Sequence, residues 1–231
     1  MSAPFQERAG SWPPYLPLVK GGDGIERLIA LGTATLGESG AFVVAGGLRP
    51  MWAGATCAGP ARTVRCEPGD NLAIHVAVAA LRAGEVLVVH VEAIPDRGYW
   101  GEVLTVAAQA RSAAGLVIDA CVRDTDALAT RRFPVFATGV ALPGAGKSGP
   151  GAVGEPVVIG GVTVEAGDIV VADADGVVVL APASVARIGA AGQARADREA
   201  AMFTELAKGR TTVELLDLHD LSTIRIREGR A

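Results

Sequence analysis

Val86-Leu87-Val88-Val89-His90-Val91 and, after an intervening helical stretch, Leu116-Val117-Ile118-Asp119-Ala120-Cys121-Val122 decide the fold. Both are short, nearly unbroken runs of β-branched and aliphatic residues, as expected of strands covered on both faces. Between them a loop to Tyr99 leads into a helix predicted from about Gly101 to Ser112. Upstream, Ala61 to Cys66 reads as a strand closed by the turn Glu67-Pro68-Gly69. Asp70 then caps a helix to about Leu81, stopped by Ala83-Gly84. Downstream come a short helix around Asp126–Thr130 and a strand at Val135–Gly139. Strand and helix alternating at this spacing predict consecutive βαβ units, a parallel sheet and the α/β class.

Beyond Pro143 the character changes. Gly144–Gly154 is a glycine-rich loop, and 156–164, 169–173 and 177–180 read as short strands. Asp173-Ala174-Asp175-Gly176 is a hairpin signal between the last two. A helix follows over 182–208, with Ser184 as its N-cap and Gly209 as its stop. Toward the N-terminus one helix is predicted to start near Asp23. A second is signalled by Thr35-Leu36-Gly37-Glu38, where a Thr N-cap and a Glu at N3 fit a capping box and account for Glu38 without a functional role. The expected organisation is an N-terminal arm (1–22), one domain (23–210) and a C-terminal extension (211–231) forming a further helix or an intersubunit contact.

Composition narrows the function classes. The chain has 231 residues, room for one large domain; half are hydrophobic, 4% are aromatic and 30 are glycine, which describes a closely packed Ala, Val and Leu core around tight turns. Charged residues, at 20%, are mixed in sign and give a net charge of -4. Disorder and a general nucleic-acid coat are therefore unexpected. Cys57, Cys66 and Cys121 are three cysteines without C-x-x-C spacing, so a disulfide scaffold or a structural zinc site is not expected, and a reducing cytoplasm is. No apolar run approaches the ~18 residues that span a bilayer, and the N-terminus lacks a signal-peptide pattern.

Several apparent motifs dissolve on inspection. Ala141-Leu142-Pro143-Gly144-Ala145-Gly146-Lys147-Ser148 resembles a phosphate-binding loop, but Ala141 stands where glycine is needed. Gly149-Pro150-Gly151 then follows, which cannot open the helix that aims amides at phosphate. Asp173 and Asp175 lack the remaining ligands of a calcium loop and are explained as turn residues. His75, His90 and His219 have no metal-binding spacing; packing or capping is the expected role of His75 and His90. Cys121 reads as a core residue.

Two segments carry chemistry. In open α/β sheets, ligands collect at the C-terminal ends of parallel strands, before the helices that follow. The strand 116–122 ends in Arg123-Asp124, and the preceding crossover delivers Gly101-Glu102-Val103-Leu104 to the start of its helix. Free amides and the positive helix end there favour an anion, and Gly101 lets backbone approach a ligand. Arg123 adds a guanidinium for a carboxylate. Glu102 and Asp124 offer carboxylates for a hard cation, which Mg²⁺ supplements with water. A surface Arg123–Asp124 pair, with Glu102 merely suiting the helix start, is the competing account.

In context these segments resemble the 4-hydroxy-4-methyl-2-oxoglutarate aldolase family, also called RraA-like. The resemblance is carried by Gly101–Leu104, Gly115–Asp124 and Phe133–Gly139. Thr33-Ala34-Thr35 with Glu38, Pro68-Gly69-Asp70-Asn71 with His75, and Gly160–Asp168 through Gly176 add to it. It implies a compact layered α/β/β/α fold of the swivelling, phosphohistidine-domain-like type, assembled as a homotrimer or dimer of trimers with sites at subunit interfaces. It further implies a metal-dependent aldolase that releases pyruvate from a 4-hydroxy-2-oxo diacid (4-hydroxy-4-methyl-2-oxoglutarate or 4-carboxy-4-hydroxy-2-oxoadipate) in aromatic-acid catabolism, with oxaloacetate decarboxylation through the same enolate. By position, Asp124 would bind Mg²⁺ or Mn²⁺, Glu102 would hold metal-bound waters, and Arg123 would contact the pyruvyl oxygens. The backbone of Gly101, Glu102, Val103 and Leu104 would grip a carboxylate, and Glu199 would reach a neighbouring subunit's site.

The absence of a marked Schiff-base lysine agrees with a metal route. No residue is marked as the base for the C4 hydroxyl, and a metal-bound or ordered water is expected in that role. Ala120 stands where the family has Gly, and His90 where it has a strand-ending Asp. A rival branch inhibits an endoribonuclease by protein contact; by the resemblance it lacks the Asp after Arg and the Gly-Glu helix start, both present here. A third expectation is a dicarboxylate-binding module without turnover.

Overall fold

A computed structural model describes residues 22–92 and 96–218; most of the expected arm, the end of the extension and His219 lie outside them. Four strands form the parallel heart: β3 (Cys57–Cys66), β4 (Val86–Val91), β5 (Gly115–Val122) and β6 (Val135–Val140). They are linked by α2 (Leu72–Ala79), α3 (Glu102–Gln109) and α4 (Thr125–Thr130), as the strand–helix alternation predicts. The strand β3 is longer than expected because its first half serves a second partner. Residues 57–60 pair antiparallel with β10 (Ile169–Ala172), and 61–66 pair parallel with β4. The sheet then continues through β11 (Val177–Leu180) to β1 (Phe42–Val44) on one side, and ends at β2 (Arg49–Pro50) beyond β6 on the other. β7 (Gly151–Val153) pairs with the upper half of β3.

Alternation along the strands makes this one sheet into two layers. Leu87, Val89, Leu116, Ile118 and Val135 face Ile74, Ala77, Leu104 and Leu128 of the crossover helices. Trp100 stacks on Phe133 there, centroids 5.9 Å apart. From the opposite face, Val86, Val88, Val117 and Phe136 pack against Val157, Val164, Val170, Val177 and Val179. The outward side of β10 and β11, through Val171, Val178 and Leu180, is covered by α1 (Gly22–Glu38) and α5 (Val185–Leu206), which contribute Leu28, Leu36 and Ile188. The result is the expected α/β/β/α layering, held by aliphatic burial on both faces of each sheet half.

Several boundaries differ from expectation. Residues 156–164 are two strands, β8 (Val157–Ile159) and β9 (Val162–Val164), folded as a hairpin on Gly160-Gly161, both at positive φ. The helices α2 and α3 stop short of Leu81 and Ser112. The final long helix opens with a 3₁₀ turn at Pro182–Ser184, and Ser184 makes no side-chain cap bond. A last turn of helix, α6 (Thr212–Leu215), does form in the extension, and Thr211 with Glu214 makes a true capping box there.

The capping box expected at Thr35–Glu38 does not exist. Those residues lie in the last turns of α1, whose break falls at Gly32 (φ 76°, ψ 160°), a left-handed conformation natural to glycine. The second half of α1 is capped from a distance. Asp173 accepts from the Thr33 amide at 2.7 Å and from its hydroxyl at 2.6 Å, while also closing its own turn on the Asp175 amide. Glu38 instead pairs with Arg195 on the surface. Asp173→Ala is therefore expected to cost about 1–2 kcal/mol in urea unfolding, and Glu38→Ala less than about 1 kcal/mol. Equal losses would contradict the long-range cap.

Candidate active site

The site forms where the parallel strands end. After Val122 the chain makes one left-handed residue, Asp124 (φ 58°), before α4 begins. That turn carries its carboxylate back to the start of the neighbouring α3. Oδ2 of Asp124 accepts the Glu102 amide at 3.0 Å. Gly101 makes the approach possible, because a Cβ there would sit 2.4 Å from that oxygen. Among the described residues, Oδ2 alone is engaged, by this amide and by Arg123 Nε at 3.8 Å. Oδ1 has no partner among the described residues. The Arg123–Asp124 contact is thus loose, and the guanidinium's Nη groups have no hydrogen-bond acceptor among the described residues. The amides of Val103 and Leu104, in the first turn of α3, have no acceptor within the helix.

The facing wall is α2 and the glycine-rich loop. Asp70 does not cap α2 from the N-cap position, which Asn71 holds. It accepts the Leu72 amide at 2.8 Å and, from the glycine-rich loop of the same wall, the Ser148 amide at 2.7 Å. An amide that a phosphate loop would offer to its ligand is thereby spent on a buried aspartate. These amides, with that of Gly149, outweigh burial and hold the Asp70 carboxyl below its usual range. Further backbone bonds, Asn71 N to Gly146 O (2.9 Å) and Gly98 N to Pro143 O (2.8 Å), lace the loop to both walls.

The cleft between these walls measures about 140 Å³ and is lined by Asn71, His75, Gly101, Val103, Leu104, Arg123, Asp124 and Lys147, among others. Sequence reasoning marked the Gly101–Leu104 and Arg123–Asp124 segments, and the structure brings them together. Glu102 joins only through its amide: its carboxylate pairs with Arg131 at 2.8 Å and lines a separate, more open groove between α3 and α4. Glu199 is on α5, paired with Arg195 at 2.9 Å, and does not line this cleft. Asn71 and Lys147 were not marked as site residues, and His75 was expected to be packed or capped. The tight Pro68–Asn71 turn, answered by glycines at 144 and 146, was the available signal. His90 pairs with Asp119 at 2.5 Å, and Asp119 also accepts the Val91 amide. The cysteines are free thiols, and burial pushes those of Cys57 and Cys66 up to about 12.

Among the described residues no three His, Cys, Asp or Glu side chains are grouped to hold a metal, which excludes an all-protein cage there. A free carboxylate oxygen in a water-accessible cleft does fit a hard cation that keeps most of its waters and takes oxygens from a substrate.

The rim of the parallel strands thus brings together a helix start with free amides, an arginine and one carboxylate oxygen without a partner among the described residues. The chain belongs to the RraA-like family (Aldolase/RraA), whose model matches residues 33–179. A Halalkalibacterium halodurans protein provisionally named 4-hydroxy-4-methyl-2-oxoglutarate aldolase is 35% identical over 133 residues, 58% of this chain and 63% of that one. This chain therefore spans about three-fifths of that relative. An uncharacterized protein from Pseudomonas syringae has a similar structure (TM-score 0.78, 26% identity), covering 95% of this chain and all of the other. The RNA-processing inhibitor RraA from a Thermus species superposes with TM-score 0.60 at 27% identity, over 64% of this chain and 92% of its own. No helix among the described residues is long and apolar enough to cross a membrane.

Burial first, then the Lys147 cation, hold the His75 imidazole below its ordinary value, against the opposing pull of Asp70. The unfolded chain then binds that proton more readily, so this residue's contribution to stability is full above about pH 6.5 and declines as pH falls below it. A histidine NMR titration is expected to give His75 a midpoint below about 6.5, raised by Lys147→Met. A midpoint at or above that value in the native protein would contradict the assignment.

Proposed function

We propose that the protein is a divalent-metal-dependent aldolase that cleaves 4-hydroxy-4-methyl-2-oxoglutarate, or 4-carboxy-4-hydroxy-2-oxoadipate, to pyruvate and a second oxo acid, and that it also decarboxylates oxaloacetate. The observation that carries this reading is the convergence of Arg123, the free oxygen of Asp124 and the first amides of α3 in one cleft. The Val103 and Leu104 amides bind the substrate's C1 carboxylate at the positive helix end. Arg123 meets the C2 oxygen. When the C3–C4 bond breaks, its electron pair moves into C2–C3 and negative charge gathers on that oxygen, where the guanidinium stabilises it. Asp124 would hold Mg²⁺ or Mn²⁺, which supplies further stabilisation of the same developing charge. Gly101 keeps the Asp124 carboxylate at the helix start, so the metal-binding and carboxylate-binding groups share one rigid frame.

The reading includes a homo-oligomer, a trimer or dimer of trimers, in the cytoplasm, with no nucleic-acid or membrane partner. Glu199 then serves a neighbour's cleft. Its absence from the lining of its own cleft and the 77% exposure of Val103 at the cleft's edge support that role. Glu102 acts through its amide and, when released from Arg131, through waters around the cation.

A second reading, inhibition of an endoribonuclease by protein contact, is favoured by the structural likeness to the Thermus RraA protein. The two separate in one experiment. With Mg²⁺ and either substrate, coupled-assay pyruvate release is expected. Asp124→Ala should lower it about 100-fold or more, Gly101→Ala about 100-fold by displacing that carboxylate, and excess chelator should abolish it. Absence of pyruvate, or rates indifferent to Asp124→Ala and chelator, together with tight metal-independent binding to a ribonuclease, would replace the aldolase by the regulator.

A further inference from the structure

Among the described residues only three buried side-chain polar atoms lack a hydrogen-bond partner: Thr63 Oγ1, Asn71 Oδ1 and His75 Nε2. The last two belong to the same cleft, one helical turn apart on α2, facing the arginine and aspartate of the strand ends. Their roles are constrained. The Asn71 amide nitrogen donates to Tyr99 O at 2.8 Å, so the oxygen is the atom left unsatisfied, an acceptor without a donor. Tyr99 is itself held by the Gly69 amide, which donates to its hydroxyl at 2.6 Å. The imidazole is an acceptor at Nε2 when the proton sits on Nδ1. Two acceptors one helical turn apart, with no donor among the described residues, suit a ligand that brings a hydroxyl. The cleft's volume, about 140 Å³, is below the several hundred Å³ usual for small-molecule sites. Both acceptor atoms are buried, so a diacid reaches them only if the cleft, whose rim at Gly144 and Lys147 is exposed, widens on binding.

Resting on the aldolase reading, we propose that Asn71 and His75 form the subsite for the substrate's C4 hydroxyl, with His75 Nε2 as its proton acceptor in place of a water. Asn71 Oδ1 shares the hydroxyl's single proton with Nε2 in a three-centre bond and so orients it. The proton passes to Nε2, the O–H electron pair becomes the new C4 carbonyl, and the C3–C4 pair passes into the pyruvyl half as the enolate. Water then protonates C3 to release pyruvate, and the imidazolium returns its proton to solvent. The charged neighbours are Lys147 and Asp70 on the loop side and Arg123 and Asp124 across the cleft; a neutral resting imidazole, favoured by burial and Lys147, is the state the step requires.

Oxaloacetate provides the control, because its decarboxylation generates the same enolate without a hydroxyl to deprotonate. His75→Gln keeps a hydrogen-bonding group at the Nε2 position but takes no proton. It is expected to lower the ratio of aldol cleavage to decarboxylation about 100-fold and to remove the acid limb of the cleavage pH profile, with the melting temperature as a check on folding. Independently of turnover, NMR of the metal-free protein should show His75 signals moving with citramalate, which keeps the tertiary hydroxyl, and not with methylsuccinate, which lacks it. Parallel loss of both reactions, an unchanged ratio, or equal responses to the two diacids would overturn the proposal. If the wild-type protein releases no pyruvate from either substrate, the aldolase reading fails and the proton-transfer step falls with it; the citramalate comparison then decides the hydroxyl subsite separately.

Discussion

The bond from the Glu102 amide to the Asp124 carboxylate joins two elements that the chain makes separately, the exit of β5 and the entry of α3. Its geometry demands three things at once. The strands must be parallel and in register, so that both ends reach one rim; Asp124 must adopt a left-handed backbone that an L-residue rarely takes; and residue 101 must have no Cβ. Aspartate tolerates that conformation better than most residues. With these conditions met, one carboxylate oxygen is fixed by backbone and the other is presented to the cleft. The oxygen's position is then set by the sheet and not by a flexible side chain.

The two sheet layers supply the rigidity that this arrangement needs. Aliphatic residues from alternate positions of β4 and β5 fill cores on both faces, so a one-residue slip of either strand would exchange the two buried sets and mispack both cores. Asp70 extends the same order to the opposite wall, where its carboxylate ties the α2 entry to the glycine-rich loop. The cleft thus has one wall set by parallel strand ends and another held by a single buried aspartate. Within this cleft, Arg123, Asp124, Asn71 and His75 present polar atoms that have no partner among the described residues.

Much of this was legible in the sequence, and the exceptions share a cause. The runs at 86–91 and 116–122 specified buried parallel strands because their composition admits little else, and the rim residues followed from topology. Local motifs that depend on distant partners misled. Thr35-x-x-Glu38 has the spacing of a capping box, yet the helix had already begun and its cap is Asp173, more than a hundred residues away. The same spacing at Thr211-x-x-Glu214 forms the box, because there the chain enters a new helix. Glu102 was marked for its carboxylate, but Arg131 takes that group and leaves the amide to the cleft. Asn71 and His75 were hidden for a related reason: the Pro68–Asn71 turn signals a tight approach, but that their acceptor atoms go unpaired is a property of the folded wall.

The central claim is that Asp124, Arg123 and the first amides of α3 form one metal-assisted site for a pyruvyl group. Anomalous diffraction from crystals grown with Mn²⁺ and oxalate, which mimics the pyruvate enolate, tests it most directly. The account predicts a manganese peak beside the Asp124 carboxylate and oxalate bridging the ion, the Arg123 guanidinium and the Val103–Leu104 amides. Manganese bound elsewhere, or oxalate absent from this cleft at saturating concentration, would contradict it.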